Sequence, residues 1–360
     1  MGSSDGLWYC TRESVKTALD EAETARTNAQ IDDAIESGSR DVEGLCHRET
    51  FAPILATRSF DFPSRSDRGP SWQVRFNGLD LLSATTVTSG GGTTTLTPGQ
   101  YFPEPRNEGP PYDSIQINLG GSASFDSGAT HQRAIAVTGL WSAAADRRVS
   151  VGTLSGTLAA STTATATLAW TTARFGVGDI LIIDSERMVI TERTFVDSTQ
   201  NLAAGLTDDA SATAVSVADG TGFAVEEIIK VGVERMRIVD IVGNTLTVIR
   251  AWDGSQLATH TLGDDVYALT GVELARAQAG TTLAAHSASA VVERWVPPGS
   301  VAKLARAYAI NTLLGERSGW ARAISASSDT AVELSGRGIA KLEADVMRPF
   351  GRKARHRTIV

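Results

Sequence analysis

Two cysteines, five histidines and a 6% share of aromatic residues are all that 360 residues carry of the rarer types. Cys10 and Cys46 stand in or beside helical patterns, as small buried apolar residues do, and without a Cys-x-x-Cys there is no thiolate metal site and no disulfide framework. His47, His131, His260, His286 and His356 are scattered with no i, i+4 pair, which excludes the usual histidine spacing for zinc. No apolar run approaches the roughly 18 residues of a membrane span. The opening MGSSDGLWYC has neither the basic start nor the apolar stretch of a signal peptide, so the chain is expected to be intracellular when made, with no membrane partner. Positive charge is also scarce. A formal net charge of −8 excludes wrapping nucleic acid over the whole surface, because that needs a basic face. Finally there is no G-x-S-x-G elbow, no Walker loop and no G-x-G-x-x-G. No enzyme activity, metal or cofactor is expected.

What is present is enough apolar chain for real cores, at 42% hydrophobic and 21% charged residues, over a length that implies two or three domains. Thr11 predicts an N-cap for a helix with Val15 and Leu19 on one face, and a second helix spans 24–48. In that helix Ile31, Ile35, Gly38, Val42 and Leu45 repeat at four and three residues, a stripe for core packing or for a neighbouring subunit. From Phe51 the text is rich in Pro, Gly and Thr and alternates as strands do. SGGG at 89–92 is read as a hairpin turn, since no Lys-Ser/Thr follows it. After VPPGS a helix returns with Val301, Leu304, Ala305, Tyr308 and Leu313, and a last helix carries Ile339, Leu342 and Val346.

The middle of the chain repeats itself. Residues 164–190 laid on 212–238 without a gap give ten identities in twenty-seven, among them Glu186-Arg187-Met188 on Glu234-Arg235-Met236. A unit of about fifty residues is therefore read as doubled, with each Met packed inward and Glu and Arg holding a turn. The acidic pairs Asp208–Asp209, Glu226–Glu227 and Asp264–Asp265 read as solvated turn residues, because sequence neighbours on a strand point oppositely. Two alternatives give this region a ligand: Glu186 or Glu234 as the acid of a hydrolase, or Trp170 and Trp252 as sugar platforms. The end, RPFGRKARHRTIV, gathers Arg348, Arg352, Lys353, Arg355 and Arg357 around Phe350, a solvated end or a docking arm.

At QIDDAIESGSRDVEGLCHRETFAP, residues 30–53, the chain resembles the head-to-tail connector (adaptor) proteins of tailed bacteriophages. DLLSATTVT, YFPEPRNEGPPYDSIQINL, AIAVTGLWS and VPPGSVAKLARAYAINTLLGERSG resemble, in order, the family's strand, Pro/Tyr loop, Trp strand and returning helix. Family members pass from the Trp strand directly to that helix, whereas here Trp141 and Trp295 are separated by the doubled region, which itself resembles a small β-module of phage structural proteins. The implied fold is α+β: a small helical bundle from both chain ends, a strand and hairpin region, and two inserted β-modules. The expected domains are 8–142 with 295–350 as connector core, 143–294 as inserted modules (about 150–206 and 207–270), and 351–360 as a basic tail. The resemblance implies a neck protein of the virion, assembled in the bacterial cytoplasm. It would form a homo-oligomeric ring, dodecameric to match the portal, through Ile31, Ile35, Val42 and Leu45. Its partners would be the portal, reached by the arm Arg348, Phe350, Arg352, Lys353, Arg355 and Arg357, a stopper or other downstream neck protein, and passing double-stranded DNA bound without sequence specificity. The rival within virus structure is a tail-tip or baseplate protein with carbohydrate-binding repeats.

Overall fold

The computed structural model describes residues 6–19, 25–63, 70–170, 175–317 and 329–352. It is α+β, with helices near the two chain ends and antiparallel sheets between them. Helix α1 (Arg12–Leu19) opens on the Thr11 cap, whose Oγ1 accepts from the Ser14 N–H at 3.3 Å. Helices α2 (Ala25–Cys46) and α3 (Gly299–Arg317) pack against it, and α4 (Asp329–Phe350) packs on α2 and α3. Ile31 and Ile35 meet Val15, Ala309 and Leu313, while Val42 joins Leu7, Val301, Leu304 and Val346, with Leu45 at the margin of that cluster. Gly38 lets α2 and α3 approach, since a Cβ there would lie 2.8 Å from the Ala305 carbonyl. Of the two readings of this stripe, core packing is the one seen: α1, α3 and α4 of its own chain cover Ile31, Ile35 and Val42, which leaves them unavailable to a neighbouring subunit. Burial at home is worth about 1.5–3 kcal/mol for such a side chain, so Ile31, Ile35 and Val42 are not presented outward.

Between α2 and α3 the chain first builds two small sheets over one core. One sheet has the order β1 (Ile54–Phe60), β7 (Ile135–Trp141), β3 (Leu81–Ser89), β4 (Thr94–Leu96); the other is β2 (Gln73–Arg75), β6 (Ser114–Ile117), β5 (Tyr101–Glu104). Trp141 packs between Phe60 and Phe76 and donates its Nε1–H to the Ala56 carbonyl at 3.0 Å. SGGG is a turn of the β3–β4 hairpin, as predicted.

The doubled region closes into barrels. Strands β8 (Arg148–Leu154), β9 (Thr163–Trp170), β16 (Asp265–Gln278), β11 (Glu186–Asn201), β10 (Ile180–Ile183) and β17 (Val291–Trp295) pair in that order, and β17 returns to β8. Closure leaves no free edge. Strands β12 (Ala214–Ser216), β13 (Ile228–Val231), β14 (Glu234–Val242) and β15 (Thr245–Ile249) form a second ring with the far ends of β11 and β16, completed by the Leu202–Val217 bridge. The two long strands therefore serve both barrels. The second barrel is inserted into the β11–β16 hairpin of the first, which corrects the tandem boundaries 150–206 and 207–270: a strand after the second copy completes the first.

The two cores share no residue yet match by position. Leu154, Leu158, Phe175, Leu181, Ile183, Met188 and Ile190 of the first correspond, 48 positions on, to Leu202, Leu206, Phe223, Ile229, Val231, Met236 and Ile238 of the second. After the insertion the offset reverses, with Val272, Leu274 and Val292 matching Leu246, Val248 and Val266, 26 positions back. Both methionines point inward and are fully buried.

Candidate functional site

The repeated Glu-Arg-Met places each glutamate at the start of a strand with its side chain inside the protein, so a buried carboxylate must find partners or be neutralised. Both are fully buried, and both find the same set. Glu186 accepts from Arg276 Nε at 2.8 Å and Nη2 at 2.7 Å, from the N–H groups of Ala277 and Ala284 at 2.9 Å each, and contacts His286 Nε2 at 3.0 Å. Glu234 accepts from Arg250 at 2.7 and 2.8 Å, from Ala251 at 2.9 Å and Ala258 at 3.1 Å, and contacts His260 Nε2 at 2.9 Å. Each arginine also donates to loop carbonyls, Arg276 to Ala159 and Ala284, Arg250 to Thr207, Ala212 and Ala258.

Burial alone raises these carboxyls, but the arginine and backbone donors win and hold both at about 2. They are ionised at neutral pH with both oxygens engaged, and neither can donate a proton as a hydrolase acid would. The glutamates do hold a turn, as predicted, but from the interior: each clamps the loop that follows its arginine strand. The second half of the pattern, RAWDGSQLATH at 250–260 against RAQAGTTLAAH at 276–286, is visible in the sequence. It escapes a search at one fixed offset because the insertion reverses the direction of the shift.

The arginine of the repeat is used differently in the two copies. Arg187 is buried and pairs with Asp146 at 2.7 Å, whereas Arg235 is part-exposed and pairs with Asp253 at 3.2 Å. This difference marks a whole face. In the first barrel Ile180, Ile182 and Val189 lie buried in the core that also holds Val42, Trp295 and Leu304. In the inserted barrel the corresponding positions are Ile228, Lys230 and Arg237, all half-buried. Lys230 Nζ stands 5.2 Å from the Phe195 ring and 5.0 Å from the Tyr267 ring, Arg235 lies over Phe195 at 5.7 Å, and Arg237 lies over Trp252 at 4.1 Å. Among the described residues Lys230 has no ion pair, while Arg237 approaches Glu226 at 3.5 Å. Trp252 is thus covered by a guanidinium on one face. The side chain of Trp170 lies outside the described residues.

Of the acidic pairs, Glu226–Glu227 differs from the solvated turn expected. Glu227 is buried, its Oε2 accepts from Ala224 N–H at 2.9 Å, its Oε1 has no hydrogen-bond partner, and burial pushes its carboxyl up to about 7. Cys10 lines an open groove with Asp179, Arg294, Lys303 and Arg306, and burial pushes its thiol up to about 12, too high for a nucleophile. No group of His, Cys, Asp and Glu able to hold a metal occurs among the described residues, and no described helix is long and apolar enough to cross a membrane.

The predicted docking arm divides. Arg348 is exposed in the last turn of α4. Phe350 is not an anchor for a partner, because it packs edge-on against Phe51 at 5.3 Å and its carbonyl accepts from Arg48 at 2.7 Å. Arg352 pairs with Asp80, which also binds Arg48, and its N–H donates to the Cys46 carbonyl at 3.1 Å. Both residues are fixed to their own chain, a correction to the arm as predicted from 348. Lys353, Arg355 and Arg357 lie outside the described residues.

Compared with protein-family models, with curated proteins and with solved structures, the chain finds no match.

Proposed function

We propose that this chain is a structural protein of the tailed-phage neck: a homo-oligomeric ring beneath the portal that continues the DNA channel and joins head to tail. The observation that supports it best is the joint packing of α1 and α2 with α3 and α4, while every strand among the described residues is threaded between the two helix pairs. That is the arrangement the connector resemblance implies, with two nested barrels added where the family passes directly from strand to helix. A ring needs large interfaces and no reaction centre. In this reading the ring matches the portal's twelvefold symmetry, its lower face meets the next neck protein, and DNA passes without being read. The Glu186 and Glu234 clamps are structural elements of the inserted barrels. The tail-tip reading with sugar-binding repeats has less support, since Arg237 covers a face of Trp252.

The experiment is to silence the gene during infection and image the particles. The reading expects DNA-filled heads without tails, complemented by the intact gene, and density for the chain beneath the portal of complete virions. Complete tailed particles without the chain, or density for it at the distal tip, would overturn it.

A further inference from the structure

Helix α1 touches both barrels. At its start the Arg12 N–H donates to the Val177 carbonyl of the first barrel at 3.1 Å, and Glu13 Oε2 accepts from the Val177 N–H at 2.9 Å. Arg12 also pairs with Glu192 at 3.0 Å, on a strand that the two barrels share. One turn further, Lys16 Nζ stands 3.5 Å from Asp253 of the inserted barrel, with side chains only 8 and 11% exposed. Lys16 is thus a tie from the helices to the inserted barrel.

The joint between the barrels also holds two matching acids, Asp179 of the first and Glu227 of the second, 48 positions apart. Each accepts from the N–H three residues earlier, Gly176 at 2.8 Å and Ala224 at 2.9 Å. Asp179 has Arg294 beside it at 3.3 Å, but 26 positions back from Arg294 stands Ala268, so Glu227 keeps the turn without the counter-charge. The cation that faces Glu227 is Arg193 on β11, which makes no ion pair among the described residues, donates to the Leu269 carbonyl at 2.8 Å and lies over Phe175 of the first barrel at 5.3 Å. Arg193 also feels Glu13, Asp179 and Glu192, with Glu13 the strongest, and only Asp179 and Glu192 have arginines of their own among the described residues. Next to Glu227 in its loop, Glu226 approaches Arg237 at 3.5 Å. One guanidinium cannot offset two buried carboxyls, so Glu227 is left uncompensated whenever it ionises.

We infer that Glu227 is a proton-operated latch on the inserted barrel: protonated, it lets the barrel rest against α1, and ionised, it drives the barrel off α1 and breaks the Lys16–Asp253 tie. Opening admits water to a carboxylate whose Oε1 has no hydrogen-bond partner in the closed joint. The hinge is the crossing at Thr194 and Gly271, where the β11–β16 ladder shifts register on either side. The sign follows from burial, which pushes the carboxyl to about 7 against an ordinary 4.5, so the open form ionises first and gains as pH rises. Between pH 6 and pH 8 the opening equilibrium should increase about tenfold. The latch concerns a single chain and does not depend on the neck reading.

The test is acetylation of the full chain by an N-hydroxysuccinimide ester at pH 6 and pH 8, with the modified lysines quantified by peptide mass. Lys16 is 7% exposed, and exposed Lys303 is the internal reference that cancels the reagent's own pH response. The ratio of Lys16 to Lys303 labelling is expected to rise about tenfold from pH 6 to pH 8 in the wild type. In Glu227→Gln, which cannot ionise, it should stay low and flat, and Glu227→Leu serves the same purpose if the glutamine variant does not fold. A wild-type ratio equal at both pH values would overturn the latch. A rise that the neutral variants retain would also overturn it, because Glu13 or another group would then carry the response. Amide exchange that quickens only at residues 224–228 while Lys16 stays protected would show a loop titrating in place, and the latch would fail on that result too.

Discussion

Thr194 and Gly271 stand opposite each other where one barrel hands its two long strands to the other. A Cβ on Gly271 would lie 2.1 Å from Thr194 Oγ1 and 3.1 Å from its carbonyl, so the strands cross there more closely than any side chain permits. The ladder also shifts register on either side of this pair. Gly271→Ala is therefore expected to cost roughly 1–3 kcal/mol, read as a lower midpoint of chemical denaturation. An unchanged midpoint would contradict the close crossing.

The pair also marks where the inserted barrel can be removed. In that barrel the matching residues are Val242 and Thr245, joined by the turn Gly243-Asn244. Replacing residues 195–270 by Gly-Asn should thus turn β11 and β16 into an ordinary hairpin and leave the first barrel and helices folded. Amide exchange should show Ile190 and Leu274 still protected. Global unfolding of the shortened chain would mean that the first barrel depends on its guest.

Each glutamate clamp should be worth several kcal/mol. Glu234→Ala leaves the Arg250 guanidinium buried without its counter-charge, at an expected cost of about 3–5 kcal/mol, and Glu186→Ala does the same to Arg276. The folded carboxyls sit at about 2 against an ordinary 4.5. A depressed acid stabilises above its unfolded value, so wild-type stability should fall as pH drops from about 4.5 toward 2. Urea titrations at stepped pH would show a shallower fall in either variant.

Glu227 predicts the opposite slope. Its folded value near 7 lies above the ordinary 4.5, so the folded chain holds an extra proton between them and stability declines as pH rises through that window. Glu227→Gln should remove a cost on the order of 2–3 kcal/mol at pH 8 and change little at pH 4. Equal effects at both pH values would show that its charge is not what burial opposes.

The tail can be cut in two places with different results. Ending the chain after Arg352 keeps Phe350 on Phe51 and Arg352 on Asp80, and the melting temperature should stay the same. Ending it after Met347 removes both contacts and should lower the melting temperature by several degrees. If residues 353–360 dock the portal, the longer truncation product folds normally yet fails to join heads. Normal attachment would end the docking-arm idea.

Much of this architecture is legible before any coordinates. The Thr11 cap, the periodicity of α2 and α3 and the Gly-rich β3–β4 turn depend on local chemistry, and local chemistry is written in neighbouring residues. The tandem reading failed for a topological reason. Glu186 finds Arg276 across ninety residues, and only the second motif, RAQAGTTLAAH, carries a trace of that. Phe350 and Arg352 misled in another way: beside a proline and among basic residues they read as a free end, and nothing local announces that Phe51 and Asp80 await them.

The nesting also fixes a schedule. A ribosome delivers β11 long before its partner, and the first barrel cannot close until residues 271–278 and then 291–295 have emerged. By then every strand of the inserted barrel is outside. Helices α1 and α2, made first, wait longest, because the partners of Ile31 and Val42 on α3 and α4 come last. The polypeptide is completed like nested parentheses, from the middle outward, and its earliest residues are the ones most in need of shelter during synthesis.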